Sequence, residues 1–195
     1  MANGQGGALL TIPSPIGGWN ARDSLDAMEP TDAVVLDNWV PEASKVSLRK
    51  GFASHATGVG SGDVETVIEF HSGGTSKLIA AGGGALYDAT AEGAASSLTT
   101  GLSNDRWQGF NFAGKLALMN GADAPKTFDG SSVAGMTVSG TGLTTSHLIG
   151  GGAYKARTFF FEKSDGTNPR AFWYSGVNTL GGTLTKFALD TVVQT

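Results

Sequence analysis

Residues 77–83, KLIAAGG, have the composition of a short buried strand that runs into a glycine turn. The pattern recurs as KLALMNG at 115–121 and as KARTFFF at 155–161, so that the opening lysines are 38 and 40 residues apart. Each stretch is followed by an aromatic residue, at Tyr87, Phe128 and Trp173. Repeats of about 40 to 50 residues are typical of β-propeller blades. The spacing therefore predicts a mainly β protein with antiparallel, propeller-like blades that form a partial propeller.

Alternation of side chains between two faces predicts further strands of these repeats, and runs of glycine predict turns. Residues 64–71 alternate between two faces, which predicts a half-buried strand, and residues 85–88 predict another. The triple glycines at 82–84 and 150–152 are predicted to be turns, and a polar loop is predicted from residue 89 to Ser103.

Composition restricts the classes of function that this chain can have. The 195 residues include 30 glycines, only 15% are charged, and the net charge is −4. This acidic balance argues against a dedicated nucleic-acid binder, and the low charge indicates surfaces that partner proteins cover. The absence of cysteine excludes disulfides and thiolate metal sites. The sequence shows no secretory leader and no apolar run long enough to span a bilayer, so we expect no membrane insertion.

The pattern along the chain predicts three regions. Residues 1–18 are expected to form a flexible N-terminal arm, residues 19–58 an assembly segment, and residues 59–195 about three β-blade repeats. Within the assembly segment, Thr31 or Asp32 is predicted to cap one short helix that ends before Pro41. The alternation at 45–49 predicts a strand with Val46 and Leu48 facing inward.

The assembly segment also holds the candidate interface residues. Trp19 and Trp39 lie outside the repeats, and tryptophan is enriched among interface anchors. Arg22 and Arg49 complete the predicted interface set.

A search for chemistry predicts no catalytic, cofactor-binding or metal-binding residue, and hence no enzyme. His55, His71 and His147 lack a second ligand at metal-binding spacing, and no phosphate-binding loop or nucleophile elbow is present. Glu65 and Glu69 share a strand face, but four residues of strand separate carboxylates by about 13 Å, too far for a glycosidase pair.

The order of several motifs resembles one known family. These motifs are MEPTDAVVLDNWVP at 28–41, VSLRKGF at 46–52, NGADAPKTFDG at 120–130, KARTFFFE at 155–162, FWY at 172–174 and LGGTL at 180–184. Together they resemble the tail hub or tail nozzle proteins, also called packaged-DNA stabilisation proteins, of short-tailed bacteriophages. The resemblance covers most of residues 16–190.

The resemblance implies a structural protein of the virion tail, assembled in the cytoplasm of a bacterial host. It implies a homo-oligomer, a hexameric ring below the portal, with an adaptor or head–tail connector and a tail fibre or needle as neighbouring proteins. Viral DNA is expected to pass through the channel without sequence-specific binding. Family members are several times longer, so this chain is expected to correspond to their N-terminal portion.

Two other functions stay open at this point. Exposed aromatic residues could make the chain a glycan-binding or receptor-binding β module of a tail. A hydrolase would need two carboxylates that converge in a groove, with Glu65 and Glu69 as the candidates.

Overall fold

The computed structural model describes residues 11–189, and the chain divides into two compact units between Ala53 and Ser54. The structure is mainly β and contains several antiparallel sheets, as predicted. Over the described range, the single helical element is one 3₁₀ turn at Thr145–His147. Most of the predicted arm and the apolar pair Val192–Val193 at the end of the chain lie outside the described residues.

The first unit consists of short strands and turns. Its strands are β1 (Gly18–Trp19), β2 (Asp32–Ala33), β3 (Trp39–Glu42) and β4 (Lys45–Leu48). Strands β1 and β2 pair in parallel, whereas β3 and β4 form an antiparallel hairpin.

The short helix predicted after Thr31 is wrong, because the chain is extended at β2 and again at β3. Asn38 adopts a left-handed φ of 62°, and the residue before a proline favours extended backbone, so Trp39 and Val40 enter a strand. The predicted inward orientation of Leu48 is also wrong, since its side chain is exposed.

The second unit begins with sheet I and two short flanking strands. These strands are β5 (Ala56–Thr57), β6 (Thr66–Ser72), β7 (Thr75–Gly82), β8 (Ala85–Asp88), β9 (Gly93–Ala94) and β10 (Ser96–Thr100). Sheet I is antiparallel in the order β10-β8-β7-β6. The polar loop predicted up to Ser103 instead contains β9 and β10, whose serines and threonines gave no apolar alternation.

Sheet II follows the same plan with four consecutive strands in antiparallel order. They are β11 (Gln108–Phe112), β12 (Lys115–Met119), β13 (Lys126–Phe128) and β14 (Val133–Gly135).

Sheet III completes the series, with one additional two-residue strand before its first strand and another between its third and fourth strands. The strands are β15 (Val138–Ser139), β16 (Leu148–Tyr154), β17 (Arg157–Glu162), β18 (Ala171–Tyr174), β19 (Gly182–Thr183) and β20 (Thr185–Ala188). The antiparallel order of sheet III is β16-β17-β18-β20.

The prediction of a turn at 150–152 is wrong, because these glycines lie inside β16. A Cβ on Gly151 would lie 3.0 Å from the ring of Phe110, and one on Gly150 would overlap the side chain of Gln108. The glycines therefore allow β16 to approach β11 closely.

The repeat is defined by its first hairpin turn and not by the lysines. The turns at Gly73–Gly74, Ala113–Gly114 and Lys155–Ala156 all have positive φ at both central residues, as hairpins with type I′ turns require. They begin at residues 73, 113 and 155, so the spacing is 40 and 42 residues. Lys77, Lys115 and Lys155 are not equivalent, because they lie within β7, at the start of β12 and in the third turn.

Two short parallel pairs tie the ends of sheets I and III. Strand β5 precedes sheet I and pairs with β9, and β15 precedes sheet III and pairs with β19. In both cases a short strand before the sheet pairs with a short strand in the connection between the third and fourth strands of that sheet.

The core lies between the sheets. One cluster, between sheets I and II, includes Phe70, Ile79, Leu86, Leu116, Leu118 and Phe128. Another, between sheets II and III, includes Ala117, Met119, Leu148, Phe160 and Trp173. Strand β12 contributes alternate residues to both clusters, so sheet II is covered on both faces, and complete burial of a leucine such as Leu118 contributes about 1.5–3 kcal/mol.

Candidate assembly surfaces

The first unit exposes most of its apolar side chains. Over residues 11–53, Ala33 is the one buried hydrophobic residue, whereas Phe52 is 89% exposed and Trp19 68% exposed. Leu25, Val35 and Leu48 are also exposed. Trp19 and Val35 line one hollow, and adjoining exposed apolar side chains of this kind are typical of interaction sites.

Two of the predicted interface residues, Trp19 and Arg22, lie close together. They line one shallow hollow with Gly17, Asn20 and Asp32. The Trp19 indole Nε1 donates to the backbone oxygen of Val34 over 3.1 Å, which fixes the ring while leaving its face exposed. Arg22 Nε lies 2.9 Å from Asp23 Oδ1, and this hydrogen bond raises the pKa of Arg22.

The other two predicted residues, Trp39 and Arg49, belong to the β3–β4 hairpin. Trp39 opens β3 opposite Leu48, and Arg49 follows β4, where its backbone N–H donates to the Asn38 oxygen over 2.7 Å. Both side chains are exposed. The structure thus places the four predicted residues as two pairs, Trp19 with Arg22 and Trp39 with Arg49.

Sequence reasoning missed a second apolar surface, on sheet III. Counted from the first hairpin turn, Ile79, Met119 and Phe161 occupy the same position of the second strand. Ile79 and Met119 are 1% and 0% exposed because sheets II and III cover them, whereas Phe161 is 47% exposed. The FFF run at 159–161 contained the signal, since one phenylalanine of an alternating strand faces opposite to its neighbours.

Five rings form this surface, which we call the outer aromatic face: Phe159, Phe161, Phe172, Tyr174 and Phe187. Phe172 is central, with ring centroids 4.9 Å from Phe187, 5.8 Å from Phe159 and 6.4 Å from Phe161. Strand β16 places Gly150 and Gly152 opposite Phe161 and Phe159, so no side chain of that strand covers the rings.

Cations flank the outer aromatic face near the hairpin turn. The Arg157 guanidinium lies 5.6 Å from the centroid of the Tyr174 ring and donates to the Ser175 oxygen over 2.7 Å. The Lys155 ammonium lies 5.4 Å from the Tyr154 ring. This edge of sheet III is therefore positively charged.

The opposite end of the sheet series presents the outer face of sheet I, which we call the leading face. It includes Val67, which is 57% exposed, and the half-buried Leu78 and Tyr87. Glu69 extends from the same face, and its carboxylate has no partner among the described residues.

The first strands of the three sheets, β6, β11 and β16, are edge strands that lie side by side. The Asn111 side chain joins two of them, because its Nδ2 donates to the Glu69 oxygen and its Oδ1 accepts from the His71 N–H, both over 3.1 Å. Arg106 Nε pairs with Glu65 Oε2 over 2.8 Å, beside a polar hollow that includes Gln108. The adjoining edges thus form a polar surface with both charges.

A polar cluster connects sheet II to the loop before it. Asp123 accepts from the backbone N–H of Ser103 and from Asn120 Nδ2, the latter over 2.7 Å. Burial raises the pKa of Asp123, but hydrogen bonds from Asn120, Ser103 and Asn104 outweigh it, and the pKa is lowered. The cluster favours the charged carboxylate and fixes the loop.

Sheet III contains the buried carboxylate of Glu162, which has a structural role. Glu162 Oε1 accepts from Trp173 Nε1 over 2.9 Å, and Asn168 donates to both carboxylate oxygens. This arrangement ties the loop after β17 to the core.

Over residues 11–189 there is no group of three His, Asp or Glu side chains that could hold a metal ion. The described residues also contain no helix with the length and apolarity needed to cross a membrane. Neither a family model nor a curated protein matches the sequence.

Proposed function

We propose that this chain is a structural subunit of a phage tail, a nozzle or hub protein that forms a ring in the DNA-ejection channel below the portal and adaptor. The observation that carries the proposal is the apolar surface left uncovered in both units. Such surface is costly in a protein that works alone and is typical of a component of a larger assembly.

The sheet series supports the finer proposal of a partial β-propeller. Three four-stranded antiparallel sheets follow one another, their first strands are adjacent, and apolar clusters fill the two spaces between sheets. Four-stranded sheets of this kind are the blades of propellers, which close with four to eight of them. We interpret sheets I, II and III as three consecutive blades.

The partners follow from this role. We propose a ring of six copies, with the adaptor or head–tail connector and the tail fibre or needle as neighbours, and with Trp19, Arg22, Trp39 and Arg49 at the interfaces of the first unit. The residues just before the adjoining edge strands β6 and β11 carry both charges in the Glu65–Arg106 pair. A surface of balanced charge suits a channel through which DNA moves, because a strongly basic one would retain the phosphates.

Mass spectrometry of purified virions tests the proposal directly. Virions produced from the genome that carries the gene are expected to contain this chain in several copies, and antibodies against it are expected to label the tail in electron micrographs. Virions that lack the chain would overturn the proposal. Tight DNA binding that weakens steeply with salt would contradict the conduit role.

A second candidate function is a glycan-binding or receptor-binding module of a tail, which the exposed rings of Phe161 and Phe187 on the outer aromatic face favour. Aromatic rings can stack on sugars, although four of these five rings are phenylalanines without a polar group. A glycan array with the intact chain tests this alternative, and specific binding that is lost in Phe161→Ala would support it.

A further inference from the structure

We propose that the outer aromatic face of one copy packs against the leading face of a second copy, so that the sheet series continues from chain to chain. The occupant of the outer aromatic face is therefore sheet I of another molecule of this protein. This inference rests on the proposed function as an assembly subunit, and adds which two surfaces meet.

The first argument is the equivalence of positions on the face that each sheet turns toward the next sheet. Ile79 of sheet I packs against sheet II, and Met119 of sheet II packs against sheet III. Phe161 holds the same position in sheet III and remains exposed. The outer aromatic face is thus the third example of a surface that is covered by a four-stranded sheet in the first two.

The second argument concerns the face that each sheet turns toward the sheet before it. Leu118 in sheet II and Phe160 in sheet III are fully buried in the inter-sheet clusters, and Leu78 occupies their position in sheet I. Val67 lies six residues before Gly73, where the first hairpin turn of sheet I begins. Trp107 lies the same number of residues before Ala113, where the first hairpin turn of sheet II begins, so the two residues occupy equivalent positions. Trp107 is buried between sheets I and II, whereas Val67 is exposed.

The two ends of the sheet series are therefore the two halves of a contact that the chain already makes twice internally. A second copy supplies the leading face that the outer aromatic face lacks. A contact between two different surfaces is heterologous, and it ends only by closing into a ring.

Charge favours the same partner. Arg157 and Lys155 lie at the hairpin-turn end of sheet III, and Glu69 lies near the hairpin-turn end of sheet I with its carboxylate unpaired among the described residues. The rings of the outer aromatic face are mostly phenylalanine. They therefore suit water-free packing against Val67 and Leu78 of the leading face better than hydrogen bonding to a sugar.

Two copies provide six sheets, a number within the range of about four to eight for closed propellers. Six copies, the number proposed for the ring, contain three such pairs.

Because the chain has no cysteine, single thiols can map the contact without background. We would prepare Phe161→Cys and Val67→Cys separately and treat each alone, and then a mixture, with a short bismaleimide. A covalent dimer is expected in the mixture and not in either variant alone. Dimers of each variant alone would show a contact between like surfaces and would overturn the proposal.

Two charge-introducing variants measure the contribution of each face. Phe161→Asp and Val67→Asp are each expected to raise the Kd of self-association at least about tenfold, because a buried charge without a partner is costly at an interface. The matched control is Val177→Asp, which changes an exposed valine in the turn after β18. It is expected to leave association unchanged, with circular dichroism confirming that all three variants fold.

Native mass spectrometry of the unmodified chain distinguishes this inference from the proposed function. Even copy numbers are expected. A monomer at micromolar concentration, or a monomer that binds a glycan through Phe161, would overturn the pairing. Presence of the chain in virion tails would still support the tail role in that case, whereas a paired chain absent from virions would leave the pairing and overturn the tail role.

Discussion

Two buried tryptophans differ in what their indole N–H groups contact. Trp173 Nε1 donates to Glu162 over 2.9 Å, whereas Trp107 Nε1 is buried and has no hydrogen-bond partner among the described residues. Removing a partner from a buried carboxylate costs about 1–3 kcal/mol, while removing an unsatisfied donor has no such cost.

We therefore expect Trp173→Phe to lower the free energy of unfolding by about 1–3 kcal/mol more than Trp107→Phe does. Urea denaturation of both variants measures the difference, and each serves as the packing control for the other since the change in ring size is the same. Equal losses would show that the Glu162 hydrogen bond contributes nothing.

The lowered pKa of Asp123 makes one contribution to stability depend on pH. Since the folded-state pKa lies below the ordinary value of 3.8, the contribution is complete above that value and is lost as pH falls through the folded-state pKa. The asparagine variant cannot titrate there.

We expect the stability difference between the wild type and Asp123→Asn to be largest near neutral pH and to shrink below about pH 4. Thermal unfolding of both proteins from pH 7 to pH 2.5 measures it, and the comparison cancels the titration of the other carboxylates. A difference that grows as the solution is acidified would contradict the assigned hydrogen bonds.

Among the elements, β16 depends most on glycine. A Cβ on Gly151 would overlap the Phe159 oxygen of the neighbouring strand, whereas a Cβ on Gly152 would meet no atom within 4 Å. Neither residue has a positive φ, so the two positions differ in space and not in backbone strain.

Gly151→Ala is expected to lower the free energy of unfolding by about 1–3 kcal/mol, because β16 and β17 must separate to accept the methyl group. Gly152→Ala in the same strand is the matched control and is expected to change stability by less than about 0.5 kcal/mol. Chemical denaturation of both variants decides the matter, and equal effects would mean that sheet III accommodates the added group.

Strands with buried alternating residues could be predicted from the sequence. The sequence predicts residues 85–88 and the repeated stretches at 115–121 and 155–161 as strands, and these contain β8, β12 and most of β17. The fourth strand of sheet I and β14 of sheet II escaped prediction, because they are short, polar or glycine-containing and are set by pairing with their neighbours. The wrong helix after Thr31 has a similar cause, since Val35 and Trp39 suit a helical face but Asn38 and the Trp39–Leu48 pairing impose an extended chain.

For the molecule as a whole, the two units differ in their ability to fold alone. The second unit contains both hydrophobic clusters, and the described part of the first unit buries little beyond Ala33. Trp19 and Trp39 could be chosen from the sequence as interface candidates, and both are exposed. The outer aromatic face could not be predicted, because the sequence does not show which face of sheet III stays uncovered.

A fragment of residues 54–195 is therefore expected to unfold cooperatively with a melting temperature within a few degrees of the intact chain. A fragment of residues 1–53 is expected to lack cooperative unfolding. Circular dichroism during heating measures both, and an uncooperative 54–195 fragment would show that the first unit is needed for the fold.

The parallel pairs β5–β9 and β15–β19 impose an order on synthesis. In each, the first strand leaves the ribosome before the sheet, but its partner emerges only after three strands of that sheet have been made. Non-local pairings form late because the entropy lost in closing the loop comes before the free energy gained from the contact. Each parallel pair therefore forms as one of the last steps in the folding of its own repeat. In a nascent chain stalled before residue 93 or residue 182 the pair is not yet formed, and the unfinished sheet is expected to be cleaved by proteases more readily than the finished one.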